Sequence, residues 1–563
     1  MKTKYIFSSA ILALTALSCT DLDVDIQSQY TELPESEIAT EAQLSNAFYG
    51  FRGALGRRFD EGVSCNSDEY TAVSFDGDYL NGRDMANFSL HMIDPDASKN
   101  QLNVYNDLQS AITKCNQVIF NLGGEDADVV APVRAVRAFY TFILMDLWGD
   151  TPIIDHILAE DERIDRTPRA KVAEWIESEL LTVRDKCYTE VNPFTYGKPT
   201  CWMVDALLAK LYINWNVYTK DVTSTSWNPN ADNDKLNACI AACDRIINSK
   251  HFNLNDDYKT KFMYTNGSQI TDFIYAMPYD AATDTDGLNY ARFRTWRRGQ
   301  EKNGFYSIQM TNSVGGNMAL TPKFVELFCL KGDRRNDVIA GNTGDKIGES
   351  TFDVYQYDNA TGDPTTIRNT YEGENITFTK SITLASGVDE KGNPQIPNAD
   401  LNVGANITGW TQGYRSIKFF PDVNDYNIYS RRQDNDVPIF RYADILLTKC
   451  EALVRGGDPT GDDTPQSLFN QIRTYVSPNR DGSLNIDHDP SLDEILDERG
   501  REFLDEHWRR NDLIRFGKFE EPWGFKDEYN PNARDPRNRI WPLSIDVLNN
   551  NTNWTQNCPG FYD

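Results

Sequence analysis

Apolar residues recur every three to four positions over long stretches of the chain, the spacing of one buried face of an α-helix. Leu44, Phe48, Phe51 and Leu55 follow it within a helix predicted from Glu41 to Arg58, and a second amphipathic helix is predicted over 101–121. Ala131-Pro132 is a helix start, and Val136, Phe139, Tyr140, Ile143 and Leu147 then form one stripe. Gly149 ends that helix and Pro152 follows it, the usual order at a C-terminus. Three more helices are predicted over 168–186, 200–217 and 235–249, with Trp202, Leu207, Leu211 and Tyr212 lining the middle one.

Elsewhere the helical period lapses. Residues 60–96 are rich in Asp, Gly, Asn and Ser and read as loop. Residues 252–440 read as irregular chain with short strands near Phe273-Ile274-Tyr275 and from Ser416 to Phe420, interrupted by one helix from Pro322 to Cys329. Helices resume at Arg441 to Arg455, Pro465 to Tyr475 and Leu492 to Phe516, and the tail from Asn530 reads as coil. Helix pairs joined by short turns resemble tetratricopeptide repeats, although no strict period is visible. The spacing predicts a mostly α fold, with such helix pairs at about 39–250 and 441–519 on either side of an irregular region at about 252–440, all within one domain, 39–563.

The N-terminus changes the picture. Lys2 and Lys4 precede an apolar run from Ile6 to Leu17, then Ser18 and Cys19. Basic start, short apolar core and small residue make residues 1–18 a secretory signal peptide, too short to span a bilayer as a helix. Leu-Thr-Ala-Leu-Ser-Cys resembles a bacterial lipobox, which makes Cys19 the lipidated first residue of the mature chain and 19–38 a polar tether. A lipid holds a domain at a membrane surface without spanning it. Asp21, Asp23 and Asp25 follow directly, and acidic residues there resemble the export signal of Bacteroidetes surface lipoproteins.

Charge narrows the partners. The 563 residues carry a formal charge of −28, with 84 acidic against 56 basic side chains, the opposite of the basic stripe a nucleic acid needs. Ten cysteines in so long a chain are too sparse for a disulfide framework. Cys239 and Cys243 share a helical face but have no ligand cluster that suggests zinc. No Gly-x-Ser-x-Gly, His-Glu-x-x-His or P-loop is present, and an enzyme is not expected. A surface glycoside hydrolase would need two carboxylates flanking a bond.

Four stretches in order carry a resemblance: RAVRAFYTFILMDLWGDTPI (134–153), RYADILLTKCEALVR (441–455), ILDERGREFLDEHWRRNDLIRFGKF (495–519) and WPLSIDVLNNNTNWTQNCPGFYD (541–563). With the lipobox they resemble the SusD/RagB family of Bacteroidetes nutrient-uptake lipoproteins. The resemblance implies a SusD-like fold, with tetratricopeptide-like helix pairs forming a superhelical frame and an irregular loop and short-hairpin region, about 252–440, that binds the ligand. It also implies a glycan-binding lipoprotein on the extracellular face of the outer membrane. It would capture oligosaccharides and deliver them to a SusC-like TonB-dependent barrel transporter. A peptide-binding or scaffold role of the RagB type is the alternative. Within the third stretch, Asp497 and Glu498 stand four and three positions before Arg501, the spacing of side-chain pairs on a helix. Trp508, Leu513, Ile514 and Phe516 should pack inward. Arg134 and Arg137 read as partners of Asp146 and Asp150.

Sugars offer apolar C–H faces and rings of hydroxyls, so a site needs aromatic faces and polar side chains in a plane. Loops on a rigid frame carry such sites. Residues 66–83 and 289–298 mix both types, as does ITGWTQGYRS. Trp296 and Tyr79 are the expected stacking platforms, with Trp410 and Tyr414 a further pair and Tyr290 nearby. Asp76, Asp78, Asn81, Arg83 and Arg292 would hydrogen-bond hydroxyls. Asp76 and Asp78 also suit a turn or a structural calcium ion, although the full calcium-loop pattern is missing. No other metal and no cofactor is expected.

Overall fold

A computed structural model describes residues 35–75, 84–285, 287–294, 315–340 and 411–562. Between 341 and 410 it describes only short pieces: 342–343, 346–347, 353–357, 364–368, 370–371, 374–375, 378–385, 401–404 and 409. The chain divides into Met1–Ser45 and Asn46–Asp563. In the first, residues 35–45 are helical, the opening turns of α1 (Glu35–Phe48).

In the second, helices dominate. They include α2 (Arg52–Leu55), α3 (Arg58–Cys65), α4 (Asp84–Ser89), α5 (Lys99–Asn121), α6 (Ala131–Trp148), α7 (Arg169–Val183), α8 (Cys201–Ile213) and α9 (Leu236–Ser249). After the short α10 (Tyr290–Arg294) come α11 (Tyr442–Val454), α12 (Pro465–Val476), α13 (Leu492–Glu502) and α14 (Arg509–Arg515). Most long helices pack on the next: α5 on α6, α6 on α7, α8 on α9, α9 on α11 and α11 on α12. That succession is the expected frame of helix pairs. The fold is mostly α, and the described strands form only two-stranded ladders, among them β2 (Phe273–Met277) antiparallel to Val437–Arg441.

α6 is central. Of its 18 residues only Arg134 escapes full burial, so it is apolar nearly all round, as an interior helix must be. Gly149 closes it at φ +73°, a left-handed backbone that costs a side chain-bearing residue. Arg137, 1 % exposed, does not reach Asp146 or Asp150 as expected. Its Nη2 donates to Glu179 at 2.7 Å and Nη1 to Glu125 at 2.8 Å, and Arg134 pairs with the same two acids. Asp146 instead accepts from Tyr218 and Asn511, and Asp150 from the backbone N–H of Arg169. One turn of helix spacing cannot show acids arriving from neighbouring segments.

Two other expectations change. Residues 60–96 are not all loop: they hold most of α3, then β1 (Tyr70–Ala72) and α4. The helix predicted over 492–516 is two helices. Asp505 and His507, at φ +65° and +71°, turn the chain between α13 and α14; no Gly or Pro marks the place. The turn drives Asp505, Glu506 and His507 into the interior, each at most 5 % exposed. Trp508, Leu513, Ile514 and Phe516 pack inward as expected. The tail also contains a helix, Ile545–Asn550.

The motif around α13 is a buried charge lattice. Glu498 takes Arg335, Arg473 and Arg501 at 2.7–2.8 Å, and Arg499 bridges Asp444 and Asp512 at 2.8 Å each. Arg441 binds Glu502, Glu506 and Asp272, and Lys261 pairs with Asp272 at 2.5 Å. Burial alone would raise these carboxyls, but the cations win and hold Glu498 and Asp272 down to about 2. Ions taken out of water persist only when paired this thoroughly. Cys239 and Cys243 are fully buried thiols, in keeping with small hydrophobes.

Candidate glycan-binding face

β1 pairs antiparallel with β3 (Met318–Leu320), Tyr70 opposite Leu320 and Ala72 opposite Met318. The ladder continues beyond the strands. Val73 N–H donates to Asn317 O at 2.7 Å, and Asn317 Nδ2 returns a bond to Val73 O at 3.0 Å. Ser74 then exchanges backbone bonds with Leu401 and Val403, and Leu320 N–H donates to Tyr414 O. Val73, Phe75 and Val403 share one apolar cluster with Ile382 and Leu384 packed against it. Gly413 lies at φ +73° with room for no side chain: a Cβ there would sit 2.7 Å from Ala319. Three remote parts of the chain are therefore stitched into one patch.

α10 anchors beside it. Gly315 and Gly316 N–H donate to Arg292 O, tying the segment before β3 to α10. Asn289 N–H donates to Gly56 O, tying α10 to α2. Below, Arg294 is held between Asp60 and Asp505. His507 Nδ1 lies 3.1 Å from Asp60, and burial, then Arg294 and Lys418, lower its pKa well below the ordinary value. Tyr70 donates to Asp505 Oδ1 at 2.7 Å.

Among the sequence-nominated residues, Tyr290, Arg292 and Tyr414 are described. Tyr290 is 3 % and Tyr414 0 % exposed. The Tyr290 ring meets Phe419 edge-on, its hydroxyl reaches Leu55 O, and the Arg294 guanidinium lies 4.2 Å from its centroid. Both tyrosines thus sit in the floor and present no ring to solvent. Arg292 is half-buried. Its guanidinium lies 4.9 Å, and that of Arg57 4.7 Å, from the Phe293 ring centroid. Burial, then Arg431 and Arg57, pull the Arg292 pKa down to about 10. Asp76, Asp78, Tyr79, Asn81, Arg83, Trp296, Trp410 and the lipidation candidate Cys19 lie outside the described residues. So does the candidate calcium ligand pair. Among the described residues no group of three or more His, Cys, Asp or Glu is placed to hold a metal ion.

Several clefts open on the described surface, two of them wide. One, about 640 Å³, runs between α2, the start of α3, α5 and the 283–289 segment, and includes Tyr49, Arg52, Arg58, Lys114 and Asn289. Sequence reading passed over it, although Arg52, Arg57 and Arg58 form a basic tail to the first predicted helix. The other, about 540 Å³, lies between α5, residues 152–164 and the C-terminal segment, with Tyr105, Gln109, Asn551 and Trp554 among its walls. No described helix is long and apolar enough to cross a membrane.

Comparison with known proteins sets this geometry in context. The family model for the SusD family matches residues 271–561. The starch-binding protein SusD of Bacteroides thetaiotaomicron is 23% identical over 602 residues, covering 99% of each chain. A SusD-like protein of Formosa agariphila is 36% identical over 153 residues, 26% of this chain and 27% of its own. Among solved structures, a laminarin-binding SusD-like protein superposes with a TM-score of 0.64 at 18% identity, over 93% of this chain and 99% of that one. Surface glycan-binding protein A of Bacteroides uniformis gives 0.64 at 16%, over 92% and 99%.

Proposed function

The chain belongs to the SusD family, and from that premise we propose that it is a cell-surface glycan-binding lipoprotein. It captures oligosaccharides and passes them to a SusC-like TonB-dependent outer-membrane transporter. It binds rather than catalyses. Cys19 carries the lipid that holds it on the extracellular face of the outer membrane. The match over 271–561, which takes in α10, β3 and the lattice around α13, carries the reading. The ligands after which those relatives are named, starch and laminarin, support a saccharide as the ligand class.

The stitched patch supports a place for the site. Segments 76–83, 295–314 and 405–408 each leave from it or from the adjoining α10 and α4. They or their borders hold the nominated Asp76, Asp78, Tyr79, Asn81, Arg83, Trp296 and Trp410. Sugar rings would stack on Trp296 and Tyr79, and Arg292 would donate to hydroxyls. A structural calcium ion would take Asp76 and Asp78 as ligands.

A glycan array probed with the purified chain tests the ligand class. Binding to a defined set of oligosaccharides is the expected result. Binding of peptides and of no sugar would replace this reading with the RagB-type alternative. Pull-down from outer membranes in mild detergent tests the partner, and should bring a TonB-dependent barrel with it. Recovery of the lipoprotein alone across several detergents would count against delivery.

A further inference from the structure

The cleft between α2 and α5 reverses the sign of the molecule around it. The chain has 28 more acidic than basic groups, yet Arg52, Arg57, Arg58 and Lys114 line this cleft against two carboxylates, Asp107 and Asp284. Asp284 is already spent on Arg52. Buried Glu61, behind the wall, takes Arg57 Nε at 3.0 Å. Arg58 donates to the neutral Asn100 amide at 2.9 Å. Lys114 is exposed on α5 and forms no ion pair among the described residues. Just beyond, Arg292 likewise has no ion pair there, and burial, then the Arg431 and Arg57 charges, lower its pKa.

With Arg52, Arg57, Arg58 and Lys114 set against Asp107, Asp284 and Glu61, the cleft keeps a net positive charge that an anion can join. α2 and α3 keep their own backbone bonds, with Leu55 N–H donating to Phe51 O and Glu61 N–H to Arg57 O. Gly50 also lets the preceding turn approach α5 so closely that a Cβ would meet Ala111 at 2.8 Å. The tight approach sets the arginines of α2 and α3 opposite Lys114. Guanidinium forks bind carboxylate and sulfate bidentately, and a low-dielectric cleft focuses their field.

We propose that this cleft binds the carboxylate or sulfate groups of an acidic oligosaccharide, so that the chain's ligand is a uronate-bearing or sulfated glycan. The inference rests on the saccharide reading above and narrows it. Tyr49, with the Arg52 guanidinium 4.6 Å from its centroid, forms a wall of the cleft, and Asn289 adds an amide for neighbouring hydroxyls.

Calorimetric titration of the full chain in mild detergent decides it, with an oligogalacturonate, a chondroitin sulfate oligosaccharide and neutral laminarihexaose as probes. At least one acidic probe should bind about tenfold or more tighter than the neutral one, and added salt should weaken it. Lys114→Glu combined with Arg58→Gln should weaken acidic binding about tenfold and leave neutral binding alone. Should the pair fail to fold, Lys114→Glu by itself decides, since Lys114 is exposed. Equal affinity for acidic and neutral probes, or acidic binding unmoved by the substitutions, overturns the inference while oligosaccharide binding stands. A thermal shift with glucuronate against glucose at matched ionic strength separates the two readings. Stabilisation of wild type but not of Lys114→Glu supports the anion cleft even if no oligosaccharide binds, a result that would overturn the saccharide reading instead. No glucuronate stabilisation and no acidic titration overturns the inference outright.

Discussion

Tyr70 and Asp505 meet across the length of the chain: the phenol donates to the carboxylate at 2.7 Å, with both residues no more than 1 % exposed. Tyr70 begins the ladder that becomes the stitched patch, and Asp505 sits in the turn between α13 and α14. The bond therefore fastens the candidate binding face to the helical frame. Ser416 and Arg294 converge on the same carboxylate. Tyr70→Phe should cost about 1–3 kcal/mol, the penalty for removing a partner from a buried polar group. Denaturant unfolding would measure it. Asp505→Ala, which strands Arg294 beside Asp60 alone, should cost more, about 3–5 kcal/mol. Equal costs for the two would mean Asp505 does little besides holding Tyr70.

The lattice around α13 makes an acid-stability prediction. Asp272 and Glu498 are held to about 2 in the folded chain, against about 4 when unfolded. Depressed carboxyls contribute stability above the unfolded value and lose it as pH falls through the folded one. Melting temperature should thus fall steeply between about pH 4 and 2. Glu498→Gln, leaving three arginines around a neutral amide, should lower stability by about 3–5 kcal/mol at pH 7 and flatten that acid limb.

Asp436 predicts the opposite slope. Burial outweighs its bonds from Tyr196 and Tyr279 and pushes its pKa up to about 7; Asp434 nearby is raised to about 6. A raised carboxyl contributes stability that is full below its unfolded value near 4 and lost as pH rises through about 7. Asp436→Asn should remove part of that loss, so the variant gains on wild type between pH 4 and 7. Thermal melts at half-unit pH steps would show it. A variant curve parallel to wild type would mean Asp436 ionises without cost.

Trp296 is the best single test of stacking. Ring stacking is worth roughly 1–3 kcal/mol per base in nucleic-acid systems, and the same scale for a sugar gives about a tenfold to hundredfold loss of affinity in Trp296→Ala. Melting temperature should barely move. A large drop in it, about 3–5 kcal/mol of stability, would make Trp296 a packing residue, with Tyr79 and Trp410 next in line.

Surface anchoring has its own test. Cys19→Ala should release or mislocalise the protein, and protease added to intact cells should digest the wild type. A wild type that resists such protease would argue against the extracellular face.

Much of the frame was legible because α5, α7, α9 and α12 write their burial as a regular stripe and α6, α8 and α11 as long apolar runs, with Gly149 and Pro152 as punctuation. The break between α13 and α14 was not, because Asp505 and His507 take a backbone that neither residue type requires; the buried partners impose it. Arg137 was read as helix-bound because a sequence shows only its own spacing, whereas Glu125 and Glu179 arrive from outside α6. For the site, Arg292 was nominated and is half-exposed, but Tyr290 and Tyr414 are floor. An aromatic ring reads the same in sequence whether it faces sugar or Phe419.

The stitching of Ser74, Asn317, Val403 and Tyr414 into one patch has a consequence for how such a chain can change. Segments whose two ends are already fixed side by side bear little further closure entropy when they grow, about 0.6 kcal/mol for each doubling in length. Between Arg292 and Gly315, whose backbones are bonded, insertions, deletions and wholesale replacement leave the helix pairs and the charge lattice untouched. A lineage built this way can acquire a taste for a new polymer by rewriting a few surface segments, and a designer can transplant one receptor's segments onto another's scaffold.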